Sequence, residues 1–303
     1  MTSPRPVVLD TDIGSDVDDA MALALLLGTP ELDLLGVTTV YGNTLLRARI
    51  ARRYASLAGR DVPVHAGESA PRSGRAVWWA GHEGSLHEGL EREAVEPSGG
   101  VDFLLRSARA HAGELEVAAI GPLTNIAAAI ERDPGFAQQV RTLWVMGGDF
   151  SDDEAEHNFR SDAAAARLVF DSGIRTVVCG LDVTRRIRIE AEQLDRIRGA
   201  GALGATLGAD IDQWWQYWNE TWNVPHDPVT VLALTRPSLF ELSPRGRVAI
   251  RQEDAQEGMS AFEPGNGGPA RVVRSLDAER VAEEIVAAIV AAGRQSAPEA
   301  PVA

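Results

Sequence analysis

The most constraining stretch of the chain is residues 9–20, LDTDIGSDVDDA. Five aspartates, Asp10, Asp12, Asp16, Asp18 and Asp19, fall within ten positions directly after the apolar run VVL. Length and β-branching predict a buried strand over PVVLDTD. Carboxylates crowded at the end of such a strand must be protonated, paired with basic residues or bound to a cation. The neighbouring sequence supplies no lysine, and arginine only at Arg5. A hard divalent cation with oxygen ligands is therefore the leading account. Gly14 lets the backbone curl so that side chains from both sides of the turn converge. Asp18 and Asp19 fall at the start of the next helix, where the dipole favours negative charge. The competing reading is a solvated acidic turn with a helix cap. An EF-hand loop fits poorly, because DTDIGSDVDDAM has its glycine one place early and a methionine where the bidentate glutamate belongs.

The same β-then-α switch repeats along the chain. LDLLGVTTVYG, VPVHAG, LEVAAIG, TLWVMGG and IRTVVCGLDV read as strands. DDAMALALLLG, NTLLRARIARRYASLAG, GVDFLLRSARAHA, PLTNIAAAIER and RSDAAAARLVFDSG read as helices, the first closed by Gly28. Alternation of this kind predicts an α/β fold: a mostly parallel, open, Rossmann-like sheet flanked by helices. No repeat and no Pro/Gly/Ser-rich linker divides residues 1–303, so a single domain is expected, with a frayed Pro/Ala-rich tail at about 295–303. The 303 residues, 45% of them hydrophobic, suffice for one large core.

A net charge of −15 argues against nucleic acid and anionic membranes as partners and favours a cation or a neutral polar small molecule. The single cysteine, Cys179, excludes a disulfide within the chain and points to a reducing, cytoplasmic setting. Neither a signal peptide nor an apolar run of the roughly 20 residues a membrane helix needs is expected.

Several chemically loaded stretches follow strands: DTDIGSDVDD, YGN, GPLTN and MGGDF. Open α/β sheets bind ligands at the carboxyl ends of their strands, although any one of these stretches reads equally well as a turn or cap. Taken together and in order, DTDIGSDVDDA, VTTVYGN, AIGPLTNIA, VMGG…AEHN and HDP resemble the nucleoside hydrolase family of the inosine/uridine-preferring type, from Val7 to about Leu234. The resemblance implies one calcium ion per subunit, held by Asp12, Asp19, the carbonyl of Thr124 and Asp227, with Asp10 supporting these ligands from behind. It implies ribose contacts from Asp18, Asn43, Glu156 and Asn158, a base role for Asp12 toward the attacking water, and His226 as proton donor or base contact. It also implies a nucleoside substrate and a homodimer or homotetramer.

Two departures from the family pattern stand out. GSDVDD carries two extra residues, which leaves Asp16 without an assigned role. The stretch DFSDDEAEHN is short and lacks the asparagine that serves the ribose 5′ side in the family, so either Asp149, Ser151 or Asp152 takes its place or the 5′ position differs from that of a plain nucleoside.

A purine anion leaves poorly and needs protonation or stacking. DQWWQYWNETWNVPHDP places Trp214, Trp218 and Trp222 four apart, on one face of a helix, as candidate base contacts; core packing is the plainer alternative. AVWWAGHEGSLHEG reads as a glycine-rich loop, a flap by resemblance, with His82 as its candidate. HEGSLH lacks the spacing of a zinc helix, EPGNGGPARVV is no phosphate loop, and Cys179 reads as structural. Two rivals remain: a non-catalytic nucleoside or sugar sensor, and an aspartate-nucleophile phosphatase, for which the chain lacks the phosphate-serving lysine.

Overall fold

Strand β1 (Arg5–Thr11) runs through the middle of the sheet, with Val7, Val8 and Leu9 fully buried. Burial on both faces explains why its apolar residues run on rather than alternate. The computed structural model describes residues 3–151, 154–252, 256–265 and 267–295. From β1 the chain continues through α1 (Asp18–Leu27), β2 (Leu32–Thr39), α2 (Thr44–Leu57), β3 (Val64–Ala66), α3 (Gly100–Ala110) and β4 (Glu116–Ala119). There follow α4 (Thr124–Arg132), α5 (Phe136–Gln139), β5 (Thr142–Met146), α6 (His157–Ser161), α7 (Ala163–Asp171), β6 (Thr176–Cys179) and α8 (Leu181–Thr184). Three helices, α9 (Ala191–Arg198), α10 (Gly201–Trp218) and α11 (His226–Thr235), lead into β7 (Phe240–Leu242), β8 (Gly246–Ile250), β9 (Ser260–Pro264), β10 (Ala270–Leu276) and α12 (Ala278–Gln295).

The sheet order is β3-β2-β1-β4-β5-β6-β10-β8-β9, with β7 also on β10. The pairs from β3 to β6, and β6 with β10, are parallel, whereas β7, β8 and β9 join antiparallel. The expected α/β fold with a mostly parallel sheet is thus present. One core lies under α1, α2 and α9 to α12, and a second under α3, α4, α5 and α7. The order in which strands are added to the sheet reverses between β1 and β4, which opens a crevice at their carboxyl ends.

All ten residues of α1 are buried. It is apolar all round, as a helix enclosed on every side must be. Gly28 closes it where α12 crosses: a Cβ there would lie 1.9 Å from the Ala288 carbonyl oxygen.

Three local expectations change. IRTVVCGLDV does not continue as one strand, because Cys179 pairs with Met146, the last residue of β5, and no partner strand extends beyond it. The chain instead coils into α8. RSDAAAARLVFDSG does not form one helix. Ser161 ends α6, and Asp162 caps α7 by accepting from the Ala165 amide at 3.1 Å. Trp222 leaves the α10 stripe, since the helix ends at Trp218 and Asn219 adopts a left-handed conformation at φ 54°. The strands β7 to β10 and α12 were not foreseen; β8 alternates buried and exposed residues and β9 is largely exposed, which weakens their apolar signal. The tail expected beyond residue 295 lies outside the described residues. No described helix is long and apolar enough to cross a membrane.

Packing at Gly28 makes a direct prediction. Gly28→Ala forces a methyl into the α12 backbone and should destabilise the fold by about 1–3 kcal/mol. Thermal unfolding followed by circular dichroism reads this; an unchanged midpoint would contradict the close α1–α12 crossing.

Candidate active site

A cavity of about 630 Å³ opens at the carboxyl ends of β1, β4 and β5. Asp12, Asp18, Asp19 and Asp227 line it, with Asp16, Glu156, Asn158, His226, Trp214 and Trp218. Four segments far apart in sequence therefore converge: the loop after β1, the loop into α6, the end of α10 and the start of α11.

The acidic loop is held from behind. Arg47 of α2 is fully buried and donates to the carbonyl oxygens of Asp12, Ile13 and Tyr41 and to Ser15 Oγ. Asp16 accepts from the amides of Val17, at 2.6 Å, and Asp18, at 3.3 Å, which gives this extra carboxylate a role in turning the chain into α1. Thr11 Oγ1 donates to Asp19 and accepts from the Ile13 amide. Gly121 follows β4 where a Cβ would lie 2.6 Å from Asp12 Oδ1, so only glycine lets that carboxylate occupy the crevice.

Carboxylate oxygens of Asp18, Asp19 and Asp227 lie within 4.8 Å of one another, and all three residues are buried. The Asp227 amide donates to Asp18 Oδ2 at 3.3 Å. Burial, reinforced by the neighbouring carboxylates, raises the pKa of all three well above the ordinary range. Burial likewise raises Asp12, opposed by the nearby charges of Arg47 and His157. Among the described residues no arginine or histidine forms an ion pair with these four groups. Buried anions without a basic partner fit a hard cation with oxygen ligands. Asp19 and Asp227 of the expected set stand in this trio, joined by Asp18, which the resemblance assigned to ribose, while Asp12 lines the same cavity.

Asp10 sits behind this cluster, fully buried, with Oδ1 accepting from Thr38 Oγ1 at 2.5 Å and Asn125 Nδ2 at 2.7 Å. Its Oδ2 has no partner, and burial pushes its pKa up to about 7. Asn125 of the GPLTN stretch also bonds the Thr39 carbonyl and the Glu68 amide, so it clamps three strand ends. Thr124 is buried and donates to Asp162 Oδ2 at 2.7 Å; it does not line the cavity.

Glu156 accepts from the amides of Gly148, Asn158 and Phe159, capping α6, while still forming part of the cavity wall. Asn158 Nδ2 donates to the carbonyls of Ile120 and Met146, tying the same wall to β4 and β5. Asn43 is not brought to the cavity. It is exposed, and its Oδ1 accepts from the Leu46 amide as the cap of α2. Asp149 is buried and accepts from the Ser151 amide and hydroxyl; neither residue reaches the wall, and Asp152 lies outside the described residues.

His226 stands at the first position of α11, its Nδ1 2.7 Å from Thr184 Oγ1. Burial and the Arg185 charge hold its pKa down to about 4, so the imidazole is neutral at neutral pH. That favours a hydrogen-bonding contact over a ready proton donor. Trp214 stacks on Tyr217 at 5.7 Å, and Trp218 meets Trp214 edge-on. Trp222 lies on a side recess beneath Arg188. His82 lies outside the main cavity, beside a void of about 20 Å³, with Nε2 2.9 Å from the Ser15 carbonyl oxygen.

The sequence reading missed Tyr41, Trp78, His157, Arg75, Arg160 and Arg185 on the wall. Tyr41 carried a signal after the fact: it is a non-glycine residue at φ 68°, a strained conformation that marks functional loops. Its hydroxyl accepts from the Trp78 amide at 2.7 Å, docking the 75–79 loop over the cavity. His157 packs edge-on to both rings.

The profile described as "Inosine-uridine preferring nucleoside hydrolase" matches residues 7–283. The chain is 32% identical over 256 residues to a protein of Arabidopsis thaliana named probable uridine nucleosidase 2, spanning 78% of this chain and 79% of that one. It is 35% identical over 252 residues to the non-specific ribonucleoside hydrolase RihC of Klebsiella pneumoniae subsp. pneumoniae, spanning 79% and 82%. Among solved structures, the plant nucleoside hydrolase PpNRh1 matches with a TM-score of 0.84 at 28% identity, over 95% of this chain and 99% of that one. On profile, sequence and fold together, this chain is an N-ribohydrolase that belongs to the inosine-uridine preferring nucleoside hydrolase family.

Proposed function

We propose that the protein hydrolyses the N-glycosidic bond of ribonucleosides to free base and ribose, using one calcium ion per subunit. The observation that carries this reading is the buried trio Asp18, Asp19 and Asp227, which lacks a basic partner at the floor of a cavity with an aromatic side. These three, with Asp12 beside them, would hold the ion. Calcium accepts 6–8 oxygens in a flexible shell, so it would tolerate a substrate diol and polarise water.

The chain's own groups supply the rest. Asp12 accepts the proton of the attacking water as the C1′–N bond breaks. Glu156 and Asn158 orient the ribose from a wall anchored to β4, β5 and the start of α6. The carboxylates of the floor stabilise positive charge growing on the sugar ring. Trp214 and Trp218 stack on the base, and neutral His226 hydrogen-bonds to it. The single domain, cytoplasmic setting and homo-oligomeric state form part of the same reading.

A panel including uridine and inosine, read out by reducing sugar, tests the reaction. Tight binding without ribose release would favour a sensor, and phosphate release from a monoester would favour a phosphatase. Asp12→Asn should leave the fold intact and lower kcat by about 10²–10⁴; near-normal turnover would remove Asp12 from the role of base. Asp227→Ala should lower the metal content of purified protein, and an unchanged content would break the ligand set.

The raised carboxyl pKa values set a further expectation. A carboxyl whose folded-state pKa is raised contributes most to stability while protonated, and that contribution disappears as pH rises through the folded value. For Asp10 and Asp16 that value is about 7. In chelator, the thermal midpoint should therefore fall between about pH 5 and pH 8, and saturating calcium should restore it by binding only the folded state. A midpoint independent of both pH and calcium would contradict the cluster's proposed occupancy.

A further inference from the structure

The cavity floor is acidic, yet its wall also carries arginines. Arg75, Arg160 and Arg185 all line it, three of the 29 basic side chains of a chain with net charge −15. Arg160 lies on α6, two residues beyond Asn158. Arg75 comes from the loop after β3, and its Nη1 lies 3.0 Å from Glu257 Oε2. The next residue, Gly258, packs against Arg160, where a Cβ would come within 2.4 Å of the Arg160 Cα. Arg75 and Arg160 are thereby brought to one corner. Arg185 pairs with Glu154, which also lines the cavity, with Nη2 3.2 Å from Oε2.

These cations are available to a ligand. Arg160 is exposed and forms no ion pair among the described residues. The side chains of Arg75 and Arg185 are 44% and 48% exposed. Exposed ion pairs contribute about 0–1 kcal/mol, so Glu257 and Glu154 are displaceable, while the buried carboxylate of Asp149, with Oδ2 3.6 Å from Arg185 Nη1, holds that guanidinium in place on the wall. The 149–155 stretch presents only Glu154 and Ala155 to the wall among its described residues. No uncharged hydrogen-bonding side chain from that stretch meets the sugar there. A neutral nucleoside has no use for three guanidinium groups, whereas a phosphate accepts their paired N–H donors bidentately.

Resting on the hydrolase reading above, we propose that the preferred substrate carries a phosphate on the ribose 5′ carbon, held by Arg75, Arg160 and Arg185. The enzyme then takes a nucleoside 5′-monophosphate. Water adds its oxygen to C1′, the C1′–N bond breaks, the base leaves with a proton, and ribose 5-phosphate is released with its phosphate ester untouched.

The test compares uridine with uridine 5′-monophosphate, and inosine with inosine 5′-monophosphate, on the calcium-loaded enzyme. Base release is followed by chromatography and the sugar product by mass spectrometry. The expected kcat/KM is at least about tenfold higher for the monophosphates, the scale of one charge-assisted contact. Arg160→Gln should reduce the monophosphate-to-nucleoside ratio by about tenfold, and Arg160→Lys should retain most of it. Equal or better turnover of the nucleosides, with a ratio insensitive to Arg160→Gln, overturns this inference and leaves the hydrolase reading standing. Release of base from neither class overturns both. Release of inorganic phosphate in place of base also overturns it.

Discussion

The site depends on one buried guanidinium. Arg47 sits beneath the acidic loop with no solvent exposure and bonds the carbonyl oxygens of Asp12, Ile13 and Tyr41. A buried charge is tolerated only when hydrogen-bonded throughout, and here the acceptors are backbone atoms of the two loops that shape the cavity. Arg47 therefore fixes main chain, and its charge also offsets part of the burial cost of Asp12 and Asp19. Trp79 covers the guanidinium at 4.8 Å, extending the same clamp into the loop over the cavity. That loop is tied down again at Glu83, which accepts from Ser15 Oγ and the amides of Ala80 and Gly81.

Topology determines where this clamp has value. The crevice between β1 and β4 is where the order of strand addition reverses, so the loops after both strands diverge and leave space. Asp10 closes the bottom of that space and Asn125 spans it from β2 to α4. The enclosed helix α1 then presents Asp18 and Asp19 at its N-terminus, where the helix dipole favours negative charge. The start of α11 brings Asp227 to the same point, since α1 and α11 pack side by side. The cluster is thus a product of helix packing as much as of the acidic sequence run.

Charge is divided across the cavity rather than spread through it. The floor holds buried carboxylates whose ionisation the fold opposes, a local conflict of the kind proteins keep at functional sites. The wall at α6 holds arginines that remain in water. A cation at the floor and an anion at the wall are compatible in one ligand, and the two regions are separated by Glu156 and Asn158, whose own hydrogen bonds go to backbone.

Sequence alone determined the alternation of strand and helix, the position of the acidic loop at a strand end and the helix start at Asp18. All are local: they follow from period, β-branching, caps and charge within a few neighbours. Only the tertiary structure decided which aspartates meet, that Arg47 from a distant helix anchors them, that Asn43 turns outward as a cap, that Trp222 leaves its stripe, and that Tyr41, Trp78, His157 and three arginines share a wall. Those outcomes depend on contacts between segments far apart in sequence, 209 residues between Asp18 and Asp227. Neither periodicity nor spacing encodes such distances, because packing of whole elements sets them.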